Sequence, residues 1–376
     1  MDEKKFLVEK FRKYYYANKQ VYTERLNSRE IGFIPFEGTM IRHRKVENEQ
    51  DLQYFLMDNV PRHLYHSVAY YKYPDKRSMQ EKDWNGAEYV FDLDADHIPG
   101  ADKMTYEQIL TEVKSHTMRL LNKFLLGYLE LDPDNLNLYF SGARGYHIHI
   151  KSDKIYEMNS DQRREISNLV RGEGISTKSF LSIASKSPIT GKGWISDINR
   201  ELIDTIRKID NHEKTEYLDN AGEDKIRELL DRPISTKDRR KYRQILVEPG
   251  VEKYSSTNIK MIENLLDKIV NNYTRRNSVE IDEPVSTDVH RLIRFPYSLH
   301  GKTGLMVRKI ELDELKTFEP LIEAVPKKFG DEPIRVKMKN PFEINFNGNH
   351  YKLEGEETVP SDFAIFLSLS GRANIY

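Results

Sequence analysis

The chain of 376 residues has no cysteine. This excludes disulfides, a thiol nucleophile and any zinc or iron–sulfur centre held by cysteine. No stretch approaches the ~18 apolar residues needed to cross a bilayer. The start, Met1-Asp-Glu-Lys-Lys-Phe6, has no apolar core of an export signal. A cytoplasmic protein without membrane contact is the expectation. An excess of charge of one sign is also missing: 59 Lys and Arg stand against 60 Asp and Glu, a formal net charge of −1. That balance neither supports nor excludes nucleic-acid binding, because a local basic groove can exist on a neutral protein. The 11 histidines include His97 and His116, which are too far apart and too poorly matched to suggest a structural zinc cluster. No internal repeat or low-complexity tract is present. The length allows two domains, or one large domain with an insertion.

What is present is more informative. Tyr89-Val-Phe-Asp-Leu-Asp-Ala-Asp-His97 reads as a strand, with Tyr89, Phe91 and Leu93 buried on one face and Asp92 and Asp94 on the other. Asp96 follows if the strand continues. Two carboxylates ~4 Å apart repel by about 4 kcal/mol at an effective dielectric of 20. A fold that keeps both ionised usually supplies divalent cations, so the pattern suggests a magnesium or manganese site for phosphoryl transfer. A strand ending in acidic surface residues would look the same, and two further segments decide between the readings.

The first is Phe140-Ser-Gly-Ala-Arg-Gly-Tyr-His-Ile-His149. Gly142 and Gly145 allow a tight turn and a close ligand approach. Ser141 and Arg144 can donate to phosphate, Arg144 through a planar fork. His147 and His149 share a strand face, where they could contact a triphosphate or template, or ligate metal. A plain hairpin would explain the glycines but not this gathering of donors. The second segment runs from Ile281 to Gly304. Asp282 or Asp288 could supply a third carboxylate, while Arg291, Arg294, His300 and Lys302 add cationic or donor groups to a loop punctuated by Pro296, Gly301 and Gly304. Carboxylates that hold two metals, opposed by cations that grip phosphates, form the layout needed for nucleotidyl transfer.

The periodicity predicts a helix over 2–26, with Phe6, Leu7, Phe11, Tyr14 and Tyr15 as its apolar stripe. A strand or hairpin follows over Phe33–Arg44, then a helix from about Glu49 and a strand over Tyr65–Tyr73. A polar loop, Pro74–Asn85, precedes the aspartate strand. Thr105-Tyr-Glu-Gln108 has the form of a capping box, opening a helix that ends near Asp132-Pro133-Asp134. Asn137–Phe140 and Tyr146–Ile150 read as strands. Residues 160–272 read as a mostly helical insertion or subdomain. Ser278–Ile281 and Leu305–Ile310 return to a strand pattern, and Ser361–Leu369 reads as a final helix.

In order along the chain, these segments resemble those of the small catalytic subunit of the archaeal and eukaryotic DNA primase. Arg29-Glu-Ile-Gly-Phe33, Ile41-Arg-His43 and Trp84-Asn-Gly-Ala87 are similar to its earlier motifs. Arg291-Leu-Ile-Arg-Phe-Pro-Tyr-Ser-Leu-His-Gly-Lys-Thr-Gly-Leu305 is the most specific match, and Val359–Leu367 resembles the closing helix. The resemblance implies a mixed α/β fold: a primase-type catalytic core sheet with flanking helices, built from 1–159 and 273–376, plus the helical subdomain 160–272. It implies that Asp92 and Asp94 bind Mg2+ or Mn2+. Asp282 matches the third carboxylate through its Asp-x-x-Val-Ser/Thr context, which Asp288 lacks. Ser141, Arg144 and His147 match residues that hold the incoming triphosphate, and Arg294, His300 and Arg42 belong with further phosphate contacts. Lys302 is suggested by its chemistry. The implied activity is template-directed synthesis of short RNA primers on single-stranded DNA, with deoxynucleotides as possible further substrates. The implied assembly is a heterodimer with the primase large subunit. An end-joining or repair polymerase of the same superfamily, a metal-dependent phosphodiesterase and a non-catalytic nucleic-acid-binding module are the alternatives. Many relatives carry a cysteine-containing zinc motif between the aspartate strand and the Ser-Gly turn. Here residues 98–140 contain no cysteine, so no cysteine-ligated zinc is expected.

Overall fold

Two four-stranded antiparallel sheets carry the segments singled out above. A computed structural model describes residues 2–98, 100–234, 240–246 and 262–376. The first sheet has the order β2-β1-β3-β9, from Ile31–Ile34 (β1), Ile41–Arg44 (β2), His63–Ser67 (β3) and Leu292–Arg294 (β9). A hairpin of Ala69–Tyr71 (β4) and Trp84–Ala87 (β5) leads into Tyr89–Leu93 (β6). The second sheet has the order β10-β7-β8-β6, with Leu136–Phe140 (β7), Tyr146–Ile150 (β8) and Lys309–Ile310 (β10). Chain from both sides of the helical stretch thus completes both sheets. The mixed α/β class matches the expectation.

The chain divides into two compact units: Met1–Leu121, Leu131–Ser167 and Glu280–Tyr376 form one, and Asn122–Glu130 with Asn168–Val279 form the other. The first contains both sheets. The second is helical among its described residues, apart from a lone bridge between Pro233 and Lys241. Its core packs Phe180, Ile198, Leu202, Ile206, Leu266 and Ile269. Residues 235–239 and 247–261 of the expected helical stretch lie outside the described residues. No described helix is long and apolar enough to cross a membrane.

Several expected elements differ in detail. The first helix covers Glu3–Ala17 and buries Leu7, Phe11, Tyr14 and Tyr15. It stops well before residue 26 because Asn18 turns its side chain on its surroundings, donating to Tyr14 Oη and accepting from the Gln20 N–H. The Tyr65–Tyr73 run is split at Val68, whose N–H still follows the β3–β9 register to Arg291 O while its carbonyl accepts from the Glu88 N–H. The loop Pro74–Asn85 contains the short helix Met79–Lys82 and the start of β5. The capping box at Thr105 forms as expected, but from Leu120 to Tyr128 the helix loosens into a π-helix. Ser278–Ile281 is not a strand. It is extended chain whose Val279 and Ile281 are buried without ladder pairing. Of Leu305–Ile310, only Lys309 and Ile310 join a sheet.

The start of β6 is anchored by an unusual group. Arg163 is 1% exposed and donates to four carbonyls, those of Ala87, Glu88, Ile155 and Met158. Burial without a carboxylate partner pulls its pKa down to about 10. A lysine could not satisfy this planar fork. Arg163→Lys is therefore expected to cost about 2–3 kcal/mol, since at least one buried acceptor loses its donor. The midpoint of urea unfolding measures this, and an unchanged midpoint would refute it.

Candidate active site

Asp92 stands opposite His147 in the β6–β8 ladder, with Oδ1 3.4 Å from His147 Nε2. The alternation holds underneath, where Tyr89, Phe91 and Leu93 are buried. The strand then ends. Asp94 is the first residue past it, and Ala95–His97 forms a 3₁₀ turn, so Asp96 does not continue the strand. Asp94 Oδ1 is buried with no hydrogen-bond partner. The nearest cation is Arg144, 3.8 Å away, which instead donates to Asp96 at 2.7 Å.

The two carboxyls are pushed in opposite directions. At Asp92, burial favours the neutral acid, but the His147 imidazole and the guanidiniums of Arg294 and Arg291 outweigh it and hold the pKa below the ordinary value. At Asp94, burial and the Asp92 charge push the pKa up, only partly offset by Arg144. The pair thus lacks positive charge on the Asp94 side, which is the defect a divalent cation would correct.

Asp282 reaches this place through its backbone. Its N–H donates to Asp92 O at 2.9 Å, and Ser286 Oγ donates to Val90 O at 2.9 Å. The segment therefore runs alongside β6 into the short helix Glu283–Thr287. Among the described residues no three His, Asp or Glu side chains already form a metal cage, so the convergence is one of main chain. Asp288 lies past the short helix, exposed, and accepts from the His290 N–H at 2.8 Å.

The Ser-Gly turn is shaped by close approaches. A Cβ at Gly145 would stand 2.4 Å from Leu93 O, so any side chain there would drive the turn off the aspartate strand. Gly142 has φ +84°, and a Cβ would meet His300 Cβ at 2.7 Å. Ser141 Oγ accepts from the Gly145 N–H at 3.2 Å, leaving its hydroxyl hydrogen to donate elsewhere. Thr303 Oγ1 donates to Gly142 O, tying the late loop to this turn.

Arg294 lies over the Tyr65 ring, 4.6 Å from its centroid. Its guanidinium contacts His63 Nδ1, and Nη2 is 3.0 Å from His300 Nε2. A guanidinium only donates, so both imidazoles accept. Burial, reinforced by Arg294, lowers the His63 pKa to about 3 and holds His300 well below its ordinary value. His300 is thus a neutral acceptor that aims Arg294, and not one of the cations of the loop.

Two candidates stand in other surroundings. Arg42 forks onto Glu30, with Nε 2.8 Å from Oε1 and Nη2 3.2 Å from Oε2. His149 is buried against Glu88, Nδ1 to Oε2 at 2.8 Å. The structure adds His63 and Tyr65, which orient Arg294, and Glu30 and Glu88, which hold arginines. Glu30 follows Arg29 in a motif visible in the sequence. His63 and Tyr65 carry no signal there, because their role depends on strand pairing.

The residues so arranged can be compared with known proteins. The profile of the family described as DNA primase small subunit matches residues 91–312. The chain is 44% identical over 359 residues to the DNA primase small subunit PriS of Picrophilus torridus, covering 95% of this chain and 94% of that one. Proteins of the same name from Thermoplasma volcanium and Thermoplasma acidophilum are 38% and 32% identical, over 97% and 98% of this chain and 95% and 99% of theirs. Among solved structures, the polymerase domain from Mycobacterium tuberculosis ligase D in complex with DNA covers 83% of this chain and is itself covered to 82%. Its identity is 11% and its TM-score 0.33, too remote a likeness to carry an argument.

Proposed function

The chain belongs to the DNA primase small subunit family, a catalytic nucleotidyltransferase that makes RNA primers, and we propose that Asp92, Asp94 and Asp282 hold the divalent cations of that reaction. The family favours primer synthesis over the end-joining polymerase and phosphodiesterase readings. The observation that carries the site assignment is the hydrogen bond from the Asp282 N–H to Asp92 O, which brings the third carboxylate's segment alongside the pair. The unpartnered Asp94 Oδ1 fits a metal ligand.

The reaction joins the 3′-hydroxyl of one nucleotide to the α-phosphate of the next and releases pyrophosphate. Bound Mg2+ or Mn2+ would lower the pKa of the attacking hydroxyl and stabilise the leaving pyrophosphate. His147 fixes Asp92, while Ser141 and Arg144 present donors to the triphosphate. Arg294, aimed by the neutral acceptors His63 and His300, offers a further donor to phosphate. Arg42, engaged by Glu30, serves a nucleotide only if that pair yields or is shared. The family implies a larger partner subunit, nucleoside triphosphates and DNA; a heterodimer with the primase large subunit, acting in the cytoplasm, is our reading.

The test is synthesis on single-stranded DNA from ribonucleoside triphosphates. Short RNA products are expected with Mg2+ or Mn2+ and none after chelation. Metal-dependent degradation of the DNA without any need for nucleotide would point to a phosphodiesterase and overturn the reading.

A further inference from the structure

Two exposed aromatic side chains on the β4–β5 hairpin have no part in the site above. Trp84 is 36% exposed and Tyr73 44%. Trp84 pairs with Tyr71 in the hairpin, and the Tyr73 N–H bonds Lys82 O beyond it. Tyr73 lies in the bend just past β4 and Trp84 opens β5, so both stand at the turn end of the hairpin. Tyr71, by contrast, is buried. Packing accounts for Tyr71 but not for the other two.

The hairpin adjoins a basic cavity. Lys82 Nζ lies 4.7 Å from the Tyr71 ring centroid and pairs with Glu30, the carboxylate that Arg42 also grips. Arg42 opens onto a cavity of about 470 Å³ lined by Ile41, Arg42, His43, Arg44, Asp75 and Arg77. Around it the cations Arg42, Arg44, Arg77 and Lys82 outnumber the anions Glu30 and Asp75. Glu30 is shared by Arg42 and Lys82, and Arg44 and Arg77 are exposed with no ion pair among the described residues.

A short chain of contacts links this hairpin to the aspartate site. Tyr71 Oη is 3.1 Å from His290 Nδ1, and the adjacent Arg291 acts on Asp92. Across the first sheet, Arg294 faces Tyr65 and Tyr65 faces Gly32, with β2 and Arg42 next in line. Three strand spacings separate Arg294 from β2, about 14 Å, a span of a few nucleotides.

We propose that Tyr73 and Trp84 stack unpaired bases of the single-stranded DNA template while Arg44 and Arg77 hold its phosphates, so that the template reaches the aspartates across the first sheet. The proposal rests on the template-directed reading. Aromatic faces beside a positive groove are what single-strand binding requires. Stacking tolerates any base, which suits a strand that must be copied whatever its sequence.

The test uses the full chain and a fluorescently labelled oligothymidylate, without nucleotide or metal, read by fluorescence anisotropy. Trp84→Ala and Tyr73→Ala are each expected to weaken binding about 5- to 100-fold, and Trp84→Phe to retain most of it. Arg44→Ala with Arg77→Ala should reduce the slope of log affinity against log salt by about 1.4. In primer synthesis these variants should raise the KM for template and leave that for nucleotide unchanged. Unchanged DNA affinity and salt slope, in a wild-type chain that makes primers, would overturn the proposal. Loss of large-subunit binding with DNA affinity intact would assign the surface to a protein and overturn it equally. A wild-type chain that binds DNA through these residues but makes no primers would instead refute the function.

Discussion

Asp94→Asn should cut primer synthesis by about 10³-fold and, at the same time, make the metal-free chain slightly more stable. The activity loss follows if Asp94 is the charged ligand proposed above, whose cation would contribute several kcal/mol to stabilising the transition state, ~4 kcal/mol being about a thousandfold. The stability gain comes from the electrostatics of the empty pair. Burial and the neighbouring Asp92 charge raise the Asp94 pKa above the ordinary 3.8, so its ionised form costs folding free energy. That cost is absent well below 3.8, grows as pH rises through the raised value and is complete above it. The advantage of asparagine should therefore appear at neutral pH and vanish in acid. The Asp94 side chain is 40% exposed, so water screens much of the penalty and the gain stays below about 1 kcal/mol. Added Mg2+ or Mn2+ should reverse the order, because only the wild-type site gains stability from binding. Denaturant unfolding with and without metal checks both signs. A variant less stable than wild type without metal at neutral pH would refute the account, as would one that keeps its synthesis.

The parts of this site that could be read from the sequence are those written in short local patterns. The alternation around Asp92 placed that residue on a strand face, and Gly145 lies where only a bare Cα passes Leu93 O. The Thr105 capping box formed where its residues stand. Features that depend on distant pairing were not legible. The order β10-β7-β8-β6 joins strands from both ends of the chain, and periodicity says nothing about partners. Val279 and Ile281 suggested a strand because apolar and polar residues alternate there, but both are buried without ladder bonds. His300 reads as a possible cation until Arg294 is found against its Nε2. Arg42 and Glu30 are only 12 residues apart, yet nothing in the spacing shows that a bulged hairpin brings them together.

The same dependence on distant pairing makes Glu88→Ala the substitution expected to damage the fold most. Arg29 and Glu88 are both essentially unexposed, with Nη2 2.5 Å from Oε1. Arg29 also donates to Ser67 O at 2.7 Å and Tyr70 Oη at 3.0 Å. Glu88 in turn accepts from Tyr70 Oη at 2.6 Å and contacts His149 at 2.8 Å. Burial alone would raise the Glu88 pKa, but Arg29 and His149 outweigh it and hold the carboxylate ionised far into acid. Truncating it strands a buried guanidinium, and breaking one side of such a pair costs about 3–5 kcal/mol. Arg29→Met combined with Glu88→Leu should cost less than the two single changes together, since neither charge is then left alone. Because Asp92 and Asp94 keep their own neighbours, the folded fraction of Glu88→Ala should retain its kcat below the unfolding temperature. The loss should appear in the urea midpoint and in yield. A kcat that falls in step with stability in the fully folded protein would show instead that Glu88, through His149 and β8, sets the geometry of His147 and Asp92.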